Sequence, residues 1–229
     1  MTALGPVCVP VGHRGDPYAC RENTLASVRS AVRAGACAVE IDVRLTRDGV
    51  PVLLHDATLK RLWGHDRPLA ALTADELRRL TDGGVPTLRS ALAAVDSTRL
   101  LIDLPDASAV PAAVAEVRES GAADRVYYCG EPAALHAVRR ADPAAEIALT
   151  WTTLAPPRPT LLAALRPRWL NHRFGLVSPE LVERNHADGL LVSVWTPDTR
   201  RSMSRLLRAG VDSITTNRVG TLCALLSRR

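Results

Sequence analysis

A (β/α)8, or TIM, barrel is the fold this chain predicts, and three observations predict it. Short apolar runs bounded by Gly, Pro and Asp alternate with Ala-, Leu- and Arg-rich stretches of helical character. That alternation is the pattern of βα units on a parallel sheet. The count also agrees. Strands read at 7–12, 37–43, 99–104, 125–129, 146–151, 168–171, 190–195 and 212–216, and helices at 24–34, 87–96, 109–120, 132–141, 159–165, 179–187, 198–208 and 218–227. Finally, residues able to do chemistry stand at the ends of the apolar runs, where parallel barrels gather their catalytic groups.

Val7–Val11 leads into His13 and Arg14. The first helix starts near Glu22, with Asn23 or Thr24 as its cap, and runs to Gly35. The second strand carries Glu40 and Asp42, two apart and so on one face. The run 50–54 follows too soon for a crossover helix, which needs a dozen or more residues. It reads as the return arm of a hairpin turning at Asp48-Gly49, which brings His55 opposite Ile41 and Asp42. Residues 57–86 read as a small irregular insertion with a short helix near 73–80, started by Thr73 and Glu76 in capping-box spacing. Beyond it, Asp103, Trp151, Asn171, His172, Trp195, Thr216 and Asn217 fall at strand ends and are expected to face the same mouth. The Pro156–Pro159 stretch reads as a rigid loop rather than a linker, so 1–229 is expected to be one domain.

Composition narrows the function. Hydrophobic content of 47% suffices for a sizeable core. The net charge is +5, and Lys60 is the only lysine, so the positive charge is almost all arginine. The arginines are scattered and form no run suited to duplex phosphate, so no nucleic-acid partner is expected. No run approaches the ~20 apolar residues of a transmembrane helix, and the short apolar N-terminal run enters His13 directly, unlike a signal peptide. No stable membrane insertion is expected. The cysteines (Cys8, Cys20, Cys37, Cys129 and Cys223) are odd in number and lack paired spacing. Reduced thiols and a cytoplasmic location are expected, with Cys8, Cys37 and Cys129 acting as small hydrophobes inside strands.

Adjacent carboxylates repel unless a proton or cation separates them. The pair Glu40 and Asp42 therefore suits a hard divalent cation, Mg²⁺ or Ca²⁺. His13 and His55 titrate near neutrality and can serve as acid and base. Arg14 offers planar donors to a phosphate. Together these groups describe a phosphodiester-cleaving site for a small-molecule substrate.

The stretch resembles the glycerophosphodiester phosphodiesterase family. Five motifs match in order: His13-Arg14-Gly15, Glu22-Asn23-Thr24, Glu40-x-Asp42, Thr46-x-Asp48-Gly49 and His55-Asp56. Fainter matches follow at Val85-Pro86-Thr87-Leu88, Val194-Trp195-Thr196 and Gly210-Val211-Asp212. The resemblance implies hydrolysis of glycerophosphodiesters to glycerol 3-phosphate and an alcohol, with His13 and His55 catalytic. It implies Asp103 as third metal ligand, and Glu22 and Trp195 beside Arg14 at the substrate. The family's usual Glu-x-Lys here reads Asp103-Leu104-Pro105, so the lysine is missing. Related sphingomyelinase D-type toxins look similar in using Asp at this position. Asn217 replaces a common family aspartate in a motif read as structural. The alternatives are a phospholipase D-like lipid phosphodiesterase that forms a cyclic phosphate, a phosphoinositide-cleaving barrel, and a binding barrel without activity.

Overall fold

The computed structural model describes residues 8–95 and 97–228. Val7 and Asp96, at ends of predicted elements, and Arg229 lie outside the described residues. Among the described residues nine strands form in chain order: β1 (Val9–His13), β2 (Ala38–Leu45), β3 (Pro51–Leu53), β4 (Arg99–Asp103), β5 (Val126–Gly130), β6 (Glu146–Trp151), β7 (Trp169–Arg173), β8 (Leu191–Trp195) and β9 (Ser213–Thr216). All except β3 pair in parallel, and the β1–β2 and β1–β9 pairings close them into an eight-stranded barrel.

The helices are α1 (Leu25–Arg33), α2 (Lys60–Trp63), α3 (Ala74–Leu80), α4 (Leu88–Ala94), α5 (Val110–Glu119), α6 (Pro132–Ala141), α7 (Pro159–Leu165), α8 (Pro179–Ala187), α9 (Arg200–Ala209) and α10 (Val219–Leu226). All but α2 and α3 are the eight predicted barrel helices. Their starts follow local chemistry. The hydroxyls of Thr24, Thr87, Ser178 and Thr199 accept N–H bonds in the first turns of α1, α4, α8 and α9. Proline opens α6, α7 and α8, where a missing N–H costs nothing.

Strand alternation sorts side chains between two cores. On β2, Val39, Ile41 and Val43 face outward into the apolar layer between strands and helices. Ala38 faces the barrel interior, packed with Val11, Leu101, Tyr127, Cys129, Ala148 and Trp169. That inner plug closes the bottom of the barrel, and the polar groups above it are left at the top.

The hairpin forms as expected. β3 pairs antiparallel with β2, Val43 opposite Leu53, and Gly49 takes the left-handed φ of +81° that the turn requires. The insertion is better ordered than an irregular excursion. Leu59, Leu69, Leu72 and Leu77 join Val52, Leu54 and Val85 in a small core of their own. Thr73 and Glu76 form the predicted capping box of α3. Cys37 departs from expectation: it precedes β2 and is exposed, so it is not a strand hydrophobe. No helix of the described residues is long and apolar enough to cross a membrane.

Candidate active site

A cavity of about 370 Å³ opens at the C-terminal ends of the barrel strands. His13, Arg14, Glu40, Asp42, His55, Asp103 and Trp195 all line it. Register explains the meeting. Asp42 and Asp103 are Cα partners on neighbouring strands, and His13 is the partner of Glu40. One ligand oxygen from each of Glu40, Asp42 and Asp103 lies within 4.8 Å of the others. Burial, with Asp42 and Asp103 close by, pushes Glu40 well above the usual carboxylate range. Burial and Asp42 likewise push Asp103 up to about 6. The cluster thus favours a proton or a cation, and its all-oxygen donors fit a hard divalent ion. Cys129 lies beside the cluster and adds no charge to it. Burial and Asp103 hold its thiol well above its ordinary pKa, and the neutral S–H donates to Asp103 Oδ1 at 3.5 Å.

The β1 turn is built around Arg14, whose φ of +55° is left-handed. Such a conformation costs a bulky residue on the order of 1–2 kcal/mol and needs support. Support comes from its own N–H, which donates to Glu40 Oε2 at 2.9 Å. Gly15 follows at φ +90°, where a Cβ would sit 2.3–2.7 Å from Ser27 atoms, so only glycine fits. The Arg14 side chain pairs with Glu22 at 2.9 Å and lies 3.2 Å from Asp42. Burial opposes its charge, but Asp42, Glu40 and Glu22 outweigh that and raise its pKa.

Each histidine has its Nδ1 engaged. Nδ1–H of His13 donates to Asn217 Oδ1 at 2.7 Å, while Asn217 Nδ2 donates to Asp198 Oδ2 at 2.7 Å, which sets the amide's orientation. His55 Nδ1 donates to Asp56 Oδ1 at 2.7 Å. Both rings therefore leave Nε2 without a hydrogen bond among the described residues, His13 Nε2 lying 3.9 Å from Glu40 Oε2. Burial and Arg14 lower the pKa of His13 against the pull of Asn217. Asp56 stays ionised, drawn down to about 2 by Arg61 and His55.

Glu22 does not line the cavity. Its carboxylate is held by Arg14 and by Arg61, whose Nη2 donates to Oε1 at 2.7 Å and Nη1 to Oε2 at 3.1 Å. Burial would raise its pKa, yet the two arginines bring it below the ordinary value. Thr24, not Asn23, caps α1. Asn23 instead donates from Nδ2 to Asp42 Oδ2 at 2.7 Å and fixes that carboxylate. The expectation for Trp151, His172 and Thr216 is corrected. Period-two alternation turns them away from the cavity, which Thr150 and Thr215 line instead, while Asn171 lines it as expected. Asn217, expected at the mouth, does not line the cavity and instead stands behind His13. Sequence reasoning passed over Asp198, Arg61 and Arg173, and of these only Arg173 carried a signal, its place at a strand end.

A parallel barrel whose mouth joins three carboxylates, two imidazoles and an arginine belongs to the phosphodiester hydrolase class. The profile of the glycerophosphoryl diester phosphodiesterase family matches residues 13–221, and the chain belongs to that family. It is 27% identical over 241 residues to a glycerophosphodiester phosphodiesterase of Caldanaerobacter subterraneus, covering 95% of this chain and 97% of that one. The crystal structure of a Parabacteroides distasonis glycerophosphodiester phosphodiesterase superposes with a TM-score of 0.85 at 26% identity, over 98% of this chain and 99% of that one. An Oleispira antarctica phosphodiesterase, crystallised with the product sn-glycerol-3-phosphate, shares the fold at a TM-score of 0.86 and 21% identity, over 96% and 97% of the two chains.

Proposed function

We propose that this enzyme hydrolyses glycerophosphodiesters to glycerol 3-phosphate and an alcohol, using one divalent cation and the His13/His55 pair. The observation that carries the reading is the convergence of both imidazoles, Arg14 and the Glu40/Asp42/Asp103 cluster on one cavity. Those three carboxylates would hold the cation. When bound, it supplies positive charge to the phosphate oxygens and lowers the cost of the charge that develops there. Mg²⁺ or Ca²⁺ suits the donor set better than Zn²⁺, because no deprotonated thiol or imidazole joins the cluster.

The chain's own groups do the rest. Arg14 keeps Nη2 free of protein partners among the described residues and donates it to a phosphate oxygen. One imidazole takes a proton at Nε2 from the attacking water or hydroxyl, and the other delivers one at Nε2 to the departing alkoxide. Asn217 and Asp56 hold the rings in the tautomer this requires. With the phosphate at the cation held by β2 and β4, the second alcohol would extend toward the opposite wall of the barrel, β7 and β8.

The test is release of glycerol 3-phosphate from glycerophosphodiesters with Mg²⁺ or Ca²⁺ and after exhaustive chelation. Release that depends on the cation is expected, and activity surviving chelation would sink the reading. A second reading rests on Asp103, the shorter acid at the third ligand position: a neighbouring substrate hydroxyl attacks and a cyclic phosphate leaves. Phosphorus NMR of the same reaction separates the two products. A barrel that only binds its ligand would release neither.

A further inference from the structure

We propose that Arg173 makes the site select its leaving alcohol by charge, favouring neutral or acidic alcohols over quaternary ammonium alcohols such as choline. The inference rests on the proposed glycerophosphodiester activity and goes beyond it. Arg173 ends β7 and lines the cavity. The other arginine of the lining, Arg14, is held by Glu22 and Asp42 through Nη1 and Nε and gives its remaining Nη2 to the phosphate in the proposed reaction. Arg173 has no ion pair among the described residues. Its Cα partner across the strand pair is Trp195, and its guanidinium carbon sits 5.4 Å from the Trp195 ring centroid.

That placement has two consequences for an alcohol approaching β7 and β8. A quaternary ammonium group is recognised by the face of an aromatic ring. Here Trp195 is the one Trp, Tyr or Phe of the lining, and the Arg173 guanidinium lies over one of its faces. A cationic head group would therefore find its aromatic platform taken and a like charge beside it. A neutral polyol instead meets guanidinium N–H donors together with the side chains of Thr150, Thr152 and Asn171, and an acidic alcohol gains an ion pair as well. Glu131 is the only carboxylate of the lining outside the metal cluster, so it is the one residue that could pull the preference the other way.

The position across the barrel separates this role from that of the absent lysine. The family lysine would project from beside β4, where Pro105 stands. In the closed order of eight strands β8 lies opposite β4, and β7 is next to β8. Arg173 thus faces the metal cluster from the far wall rather than standing next to Asp103, and no arginine of the described residues pairs with Asp103.

The test compares kcat/KM for glycerophosphoglycerol, glycerophosphoinositol and glycerophosphocholine, with the cation present, in wild type, Arg173→Gln, Arg173→Glu and Glu131→Gln. Wild type is expected to prefer the first two by at least about tenfold, in line with the repulsion of two cations roughly 7 Å apart near a protein surface. Arg173→Gln should narrow that ratio and Arg173→Glu should invert it, while Glu131→Gln should widen it. Three results overturn the proposal: wild type preferring choline, a ratio unmoved by Arg173→Gln, or an equal loss on all three substrates, which would assign Arg173 to the phosphate. No hydrolysis of any glycerophosphodiester would instead overturn the proposed function itself.

Discussion

At the scale of single residues, His13 and His55 differ in what stands behind them: a neutral amide for one, a carboxylate for the other. Replacing either with Ala should lower kcat by about 10²–10⁴-fold, the range of a positioned proton transfer. As the proposed acid and base of one reaction, they should lose less together in the double variant than the product of the single losses. A His55→Ala enzyme with near-normal kcat would take it out of the mechanism. Pro105 lines the cavity where the family lysine would reach the phosphate, and among the described residues no arginine or lysine pairs with Asp103 in its stead. One preorganised charge is worth roughly 3 kcal/mol to a transition state. Pro105→Lys should therefore raise kcat/KM about tenfold or more on simple glycerophosphodiesters. Proline at a strand end fixes φ and donates no bond, so the exchange is structurally mild. A folded Pro105→Lys enzyme with unchanged or lower activity would show that the site does not lack that charge.

At the scale of elements, the hairpin and insertion carry His55 to the barrel. Arg44 Nε donates to the His55 carbonyl at 2.8 Å, and Asp48 Oδ1 accepts from Ala74 N at 3.0 Å, tying the turn to α3. α2 is a single turn that cannot hold itself, since short helices are marginal in isolation. Its Arg61 ties it down, reaching Asp56 at 2.6 Å and Glu22 at 2.7 Å, and so links the His55 support to the Arg14 support. Arg61→Gln should lower kcat roughly tenfold with little change in far-UV circular dichroism. The link is about half-exposed, so high salt should weaken wild type in the same direction and leave the variant almost indifferent. Equal salt sensitivity in both would remove Arg61 from the link.

At the scale of the whole molecule, the acid cluster sets how stability follows pH. The Asp103 pKa is raised from 3.8 to about 6, so the folded protein holds that proton more tightly than the unfolded chain. Stability from this group is full below pH 3.8 and is lost as pH rises through about 6. The loss is on the order of 3 kcal/mol. Glu40 is shifted in the same direction. A divalent cation that binds the ionised cluster offsets the loss, so it should raise Tm by several degrees at pH 7.5 and hardly at all at pH 4.5. Asp103→Asn should be more stable than wild type in chelator at pH 7.5 and insensitive to the cation. No cation-dependent Tm shift at pH 7.5 would contradict the metal site.

Much of this protein is local chemistry and is legible in its residues. The barrel strands follow from apolar runs, the helix starts from Thr, Ser and Pro, the β2–β3 turn from Asp48-Gly49, and the shared face of Glu40 and Asp42 from their spacing of two. What local pattern could not supply is which residues far apart in the chain share a rung or a hydrogen bond. Strand register alone decides that Asp42 stands beside Asp103 and Arg173 beside Trp195. Barrel closure alone brings Asn217 to His13 across 204 positions of sequence. The same closure turns Trp151 and His172 outward, because alternation is clear within a strand but its phase is set by what the barrel must bury.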